Sequence, residues 1–250
     1  MLKAVVFDMD ETLLDINLRA FVVRLAKNEA GILAQIAGKN PFSMFALFAS
    51  AMLEVNDPDR DDDLTNRDFF DDFIMRRCGV PLNDPVIADA FEYYEREVLP
   101  ARNDALIGAR PREGAHEAVE AVAARGLRTA LFTNPCFTRS CIECRMAWGD
   151  LLDMPFELVT TMENSTRCKP SPHYYLEAAS RMGLAPEEVL MVGNDPKRDF
   201  PSPDCGIKTA YVGNGSHPDA LWSGSMAGFA TELDAIIERF NKDDEAQEAR

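Results

Sequence analysis

Two hydrophobic patterns alternate along the chain and divide it into three stretches. In the first, Ala4-Val5-Val6-Phe7 is an unbroken apolar run with two β-branched residues, set between Lys3 and Asp8. Such a run predicts a strand buried on both faces. From Leu18 to about Leu99 the period lengthens to that of helices. Phe21, Val22 and Leu25, then Ile32, Leu33 and Ile36, trace one amphipathic helix with an expected interruption near Gly31. A second is expected from Asn40-Pro41, an N-cap followed by a proline at the first helical position, through Phe42, Phe45, Leu47, Phe48 and Met52 to about Glu54. A third starts near Thr65, where Asp68 imitates a capping box, and carries Phe69, Phe70, Phe73 and Ile74. A fourth spans 84–98 and ends before Pro100.

After Pro111 short apolar runs and helical patterns alternate. Helices are expected over 113–125, 137–148, 171–183 and 233–240, and strands over 127–132, 156–160, 189–192 and 208–212. The polar tail 241–250 is expected to fray. Strands alternating with helices imply an α/β fold, a doubly wound, Rossmann-like parallel sheet covered on both faces. The helical stretch, roughly eighty residues, is large enough to form a second, smaller all-helical domain.

The totals narrow the class of function. Among 250 residues, 26 basic against 42 acidic side chains give a net charge of −16. That balance argues against nucleic-acid binding and against anionic membranes. The amino-terminal apolar run is too short for a signal peptide, and Gln35, Lys39, Asn40 and Pro41 interrupt the longest apolar stretch, so no membrane span is expected. Six irregularly spaced cysteines in a chain of this size suit a reducing cytoplasm.

The first strand delivers Asp8 and Asp10, then Thr12. Buried parallel strands carry their chemistry at the carboxyl end, and residues two apart in an extended segment point the same way. Three readings compete: a solvated acidic turn; a calcium loop, which fails because Leu13 stands where glycine is needed and Arg19 at the twelfth position; and a nucleophile beside an acid. The third needs a hydroxyl, a lysine and a further acidic cluster, each after its own strand. Thr133-Asn134 follows the second predicted strand, Lys169 precedes the Ser171-Pro172 helix start, and Gly193-Asn194-Asp195-Pro196-Lys197-Arg198-Asp199 follows the fourth.

In this order the motifs resemble those of the haloacid dehalogenase superfamily of aspartyl-nucleophile phosphohydrolases. The resemblance covers a core of 1–15 and 106–250, with 16–105 placed where many members carry a helical cap. It implies a magnesium-dependent phosphatase acting on a small phosphorylated metabolite. Phosphoryl transfer needs a nucleophile, neutralisation of the phosphoryl oxygens and a proton for the leaving alkoxide. Asp8 is the expected nucleophile, and Asp10 the acid that protonates the leaving oxygen and then activates water. Thr133 and Lys169 hold the transferring oxygens, with backbone N–H groups around Met9, Asp10 and Asn134. By the same resemblance Mg²⁺ is bound by the Asp8 carboxylate, the Asp10 carbonyl and Asp195. Asp199 orients Lys169 or a metal-bound water, and Thr12 closes the first loop.

A sugar phosphomutase shares this chemistry, and a binding protein that kept the fold without turnover is the alternative from another class. A dehalogenase is disfavoured, since a halide leaving group needs neither Asp10 nor the Asp195/Asp199 pair. Glu11 and Phe200-Pro201-Ser202-Pro203 depart from the family pattern, where glycine and a regular helix start are usual. The Phe/Met-rich helix over 42–52 reads first as bundle core, second as an apolar lining, and is the stretch to examine for a homodimer contact. The acidic run 57–63 reads as a solvated turn. Cys136, Cys141, Cys144 and Cys168 have the spacing of an iron–sulfur ligand run, yet read better as buried thiols. His116, His173 and His217 show no ligand spacing, and Arg167 and Arg198 read as flanking charge.

Overall fold

A computed structural model of the chain describes residues 1–248, with side chains as far as Asp243. Strand β1 (Ala4–Phe7) is followed by a two-residue strand β2 (Leu14–Asp15), and then by helices α1 (Leu18–Ala37), α2 (Pro41–Val55), α3 (Asn66–Cys78) and α4 (Pro85–Tyr93). The chain returns through β3 (Arg110–Pro111) to α5 (Ala115–Ala124), β4 (Arg128–Leu131), α6 (Arg139–Trp148), β5 (Phe156–Val159), α7 (Pro172–Arg181), β6 (Val189–Gly193), β7 (Lys208–Val212), β8 (Trp222–Gly224) and α8 (Met226–Glu248). Six strands form one sheet in the order β5-β4-β1-β6-β7-β8, every pair parallel. β1 therefore sits between β4 and β6, at the point where the order reverses and a crevice opens at the strands' carboxyl ends.

The unbroken apolar strands are explained by layers on both sides. Val5 and Phe7 of β1 face the core shared with α5 and α8, while Ala4 and Val6 face Tyr174, Tyr175 and Ala178 of α7. Gly114, at φ +82°, is required by close approach: a Cβ there would collide with the Ala227 backbone of α8. β2 and β3 pair antiparallel, Leu14 opposite Pro111 and Asp15 opposite Arg110, and so fasten together the two connections of the helical insertion. Asp15 strengthens the joint through Arg112 Nε at 2.9 Å and Arg110 at 3.1 Å.

Several expected boundaries shift. Gly31 does not interrupt α1, which runs 20 residues without a break, because the glycine faces open space and its neighbours keep the periodicity. The fourth helix does not stop before Pro100. It loosens into a π turn over Tyr94–Val98 and then tightens into a 3₁₀ turn over Leu99–Arg102, which tolerates a proline in its first turn. The tail is helical through Glu248 rather than frayed from residue 241, and only its last two residues lie outside the described ones. Strands β2, β3 and β8 are too short for periodicity to announce. Phe200–Pro203 leads into a 3₁₀ turn at Pro203–Cys205 in place of a regular helix. No helix among the described residues is long and apolar enough to cross a membrane.

Where α1 and the π turn meet α6, Glu29, Glu95 and Cys141 bring ligand-type atoms within 4.8 Å of one another. Burial, then the neighbouring Glu95, holds the Glu29 carboxyl well above its ordinary value of 4.5. Glu95 is raised by burial too, though the Thr138 hydroxyl, donating at 2.8 Å, pulls it back. Burial and both carboxylates push the Cys141 thiol far up. The trio is therefore a protonated thiol beside two carboxyls sharing a proton. Because folding raises the Glu29 pKa, its contribution to stability is complete below the unfolded value and is lost as pH rises through the folded one. Glu29→Gln stays neutral at every pH. Its stability relative to wild type, from denaturant melts, should rise by about 1.4 kcal/mol per pH unit as the pH climbs from the ordinary carboxyl value towards the raised folded one, and level off above it. A difference flat in pH would contradict the shared proton.

Candidate active site

β1 places the first carboxylate. The Asp8 N–H donates to the Val192 carbonyl at 2.8 Å, so the chain stays in register with β6 one residue past the strand. It then turns sharply, and the N–H groups of Thr12, Leu13 and Leu14 all donate to the Met9 carbonyl at 3.2, 2.9 and 2.9 Å. The turn carries Glu11 into the left-handed region at φ +60°. A non-glycine residue there costs about 1 kcal/mol. Thr12 Oγ1 lies 3.2 Å from Asp8 Oδ2 and 3.0 Å from Asn194 Oδ1, joining the ends of β1 and β6.

Lys169, 3% exposed, supplies the central charge. Its Nζ donates to Asp8 Oδ1 at 2.8 Å and to Asp199 Oδ1 at 2.7 Å. The other Asp199 oxygen accepts the Asp195 N–H at 2.9 Å. Gly193 permits this approach, since a Cβ there would overlap the Asp199 side chain. On the opposite side Asn134 Oδ1 accepts the Lys169 N–H at 3.1 Å. Burial opposes the lysine's charge, but Asp199 and Asp8 outweigh it and hold the ammonium well above its usual pKa. Burial raises Asp8, with Lys169 opposing, and raises Asp199 to about 6. One cation thus sits between two carboxylates in a water-poor pocket.

Two further side chains each hold a buried polar atom with unused hydrogen-bonding capacity. The Thr133 carbonyl accepts from Thr160 Oγ1 at 2.7 Å and from Tyr174 Oη at 2.9 Å, which fixes the residue, while its own hydroxyl has no partner. Asp10 Oδ2 pairs with the Arg145 guanidinium, and Asp10 Oδ1 has none. Arg145 is fully buried on α6, with its guanidinium carbon 4.4 Å from the Phe137 ring centre and 5.0 Å from that of Phe21. Asp195 is more open: its Oδ1 accepts the Lys197 N–H at 2.9 Å, and its Oδ2 lies 3.9 Å from Arg198 Nε. Four strand ends have therefore brought two carboxylates, a hydroxyl, a lysine and an acidic loop to one crevice.

Residues 2–202 match the family described as haloacid dehalogenase-like hydrolase. The chain belongs to that family. It is 27% identical over 245 residues to an N-acetylmuramic acid 6-phosphate phosphatase of Pseudomonas aeruginosa, covering 95% of this chain and 96% of the relative. It is 27% identical over 149 residues to the pyrophosphatase PpaX of Halalkalibacterium halodurans, covering 55% of this chain and 67% of that one. Among solved structures, a phosphatase of the same family from Thermococcus onnurineus superposes with a TM-score of 0.54 at 20% identity, covering 94% of this chain and 98% of its own. An L-2-haloacid dehalogenase from Xanthobacter autotrophicus gives 0.51 at 17% identity, with 94% and 99% covered. The two structures establish the shared fold, and the curated relatives, named as phosphatases, put the chain on the phosphatase side of this family.

Within that haloacid dehalogenase-like frame a cavity of about 540 Å³ opens over the strand ends. Asp8, Asp10, Asn134, Lys169, Asp195 and Asp199 line its floor. Thr133, Thr12 and Met9 lie beneath it, each buried and outside the lining. Arg145 and Asn56 were not anticipated. Asn56, at the end of α2, accepts from Asn134 Nδ2 at 2.8 Å and ties the helical insertion to the site. Arg145 had one visible signal, a charge on the face of α6 that also carries Cys141 and Ile142. The cysteines are free thiols, and among the described residues the iron–sulfur-like set does not gather as ligands. The acidic run 57–63 is a largely exposed turn, as expected, pinned at one point where Arg60 forks onto Asp62 at 2.9 and 3.0 Å and lies over Phe69. No histidine lines the cavity.

A buried ion pair is weak as a net stabiliser, yet breaking one side of it is costly. Arg145→Met should therefore destabilise the fold by about 3 kcal/mol in denaturant melts. Adding Asp10→Asn, which removes the stranded charge, should recover part of that loss. Strict additivity of the two substitutions would show that Asp10 and Arg145 are not coupled.

Proposed function

We propose that this chain is a magnesium-dependent phosphomonoester hydrolase that works through an aspartyl-phosphate on Asp8, with 16–105 as a cap over a core of 1–15 and 106–250. The observation that carries the reading is the Asp8–Lys169–Asp199 clamp beside the unpartnered Thr133 hydroxyl. Five carboxylates and two cations line the cavity, so a phosphate dianion entering it needs further positive charge. The oxygen donors of Asp8, Asp195 and the Asp10 carbonyl fit a hard divalent cation, which when bound would supply that charge.

The chain's own groups account for the rest. Asp8, fixed by Lys169 and Thr12, presents its carboxylate to phosphorus for in-line attack. Lys169 and the Thr133 hydroxyl stabilise the transferring oxygens, with the Asn134 and Met9–Asp10 backbone beside them. Arg145 anchors one oxygen of Asp10, which leaves Oδ1 free to give a proton to the departing alkoxide and to take one from the attacking water. Asp199 keeps Lys169 charged and aimed. The relative that hydrolyses N-acetylmuramic acid 6-phosphate aligns over nearly the whole chain and supports a small phosphorylated metabolite as substrate.

Hydrolysis of p-nitrophenyl phosphate tests this. Turnover should appear with magnesium, vanish with EDTA, and fall at least about a thousandfold in Asp8→Asn. An Asp8→Asn enzyme that keeps its rate would overturn the nucleophile assignment.

A further inference from the structure

The apolar residues of α2 divide between two jobs. Met44, Phe48, Ala51 and Val55 are buried in the helical bundle. Phe45, Ala49 and Met52, the adjoining stripe at helical spacing, face the cavity instead, together with Leu53. α1 presents a matching stripe, Leu18, Val22 and Ala26, again one turn apart. These two stripes roof the same space whose floor holds the carboxylates and Lys169. Asn56 is the polar contribution of either helix to the lining, and its carbonyl is already engaged by Asn134.

A polyhydroxylated alcohol lying under this roof would press its hydroxyls against Val, Phe, Met and Leu, away from the polar residues Glu11, Asn194 and Arg198 on the cavity's other side. Each unsatisfied hydroxyl weakens binding by roughly tenfold. An apolar group meets no such penalty and removes the accessible surface of Met52 and of Leu53, which is 76% exposed. A single exposed leucine is unremarkable, but two facing apolar stripes over a charged floor have an amphipathic occupant as their natural match. The alternative occupant, water alone, leaves both stripes wetted.

We infer that the alcohol half of the substrate is apolar, an alkyl or aryl group, and that Phe45, Met52 and Leu53 select for it. The inference rests on the phosphatase reading, because it assigns the phosphate to the floor. It departs from the sugar phosphate named for the Pseudomonas relative.

Calorimetric titration of the magnesium-loaded full chain with methyl-, butyl- and hexylphosphonate reads the pocket without turnover. Affinity should tighten by about fourfold per added methylene until the roof is covered. A hexose 6-phosphonate of similar size should bind at least about tenfold more weakly than hexylphosphonate. Met52→Gln should flatten the slope, and so should Leu53→Gln, whose exposed position tolerates the change. Affinity independent of chain length, or preference for the hexose, overturns the inference even if phosphate esters are hydrolysed. A rising slope in a protein that hydrolyses no phosphomonoester would leave the apolar pocket standing and bring down the proposed function instead.

Discussion

A buried ammonium shared by two carboxylates is the constraint on which the crevice depends. Lys169 comes from the segment after β5, Asp8 from the end of β1 and Asp199 from the loop after β6. None of the three is tolerable alone in a buried place: desolvation would neutralise it. Together they compel three chain segments to meet at one point, with distances set to within a hydrogen bond. Local details follow from that demand. Gly193 is bare because Asp199 needs the room, Asn134 holds the Lys169 backbone, and the Thr133 carbonyl is pinned from two sides. The balance of charge around the crevice is left negative, with five carboxylates against Lys169 and Arg198.

A second layer of control comes from the helical insertion. It leaves and rejoins the sheet through the β2–β3 pair, and it reaches back to the site through Asn56. Asn66 adds another tie, donating to the carbonyl of Pro135 at 2.9 Å and of Arg167 at 3.2 Å. The Glu29–Glu95 pair ties α1 and the π turn to the N-terminus of α6 through Thr138. α6 in turn carries Arg145, which grips Asp10 and packs against Phe21 of α1. Roof and floor are thus linked through polar contacts at their edge, while the apolar stripes between them stay open to a ligand.

Much of this was legible in the sequence, for identifiable reasons. β1 and β6, fully buried, give unbroken apolar runs followed by Asp8 and Asp195, while β4 and the edge strand β5 give mixed runs followed by Thr133 and, ten residues on, Lys169, an order that survives without any contact information. Thr65 and Asn40 announced α3 and α2 because caps are local. What escaped was whatever depends on distant partners. Arg145 looks like one more helical arginine until folding places Asp10 beside it. Gly31 looked like a break because propensity is local, whereas packing of Leu25, Ala30 and Leu33 decides the helix. The double role of α2 could not be read from periodicity either, since a core stripe and a cavity stripe one residue apart have the same spacing.

The most direct test of the central claim is to stop turnover of p-nitrophenyl phosphate with acid and map the trapped phosphoryl group by peptide mass spectrometry. If the lysine-clamped carboxylate is the nucleophile, the phosphoryl group is found on Asp8 and disappears with hydroxylamine. Phosphate released while Asp8 stays unmodified, or a label carried by another residue, would contradict the account.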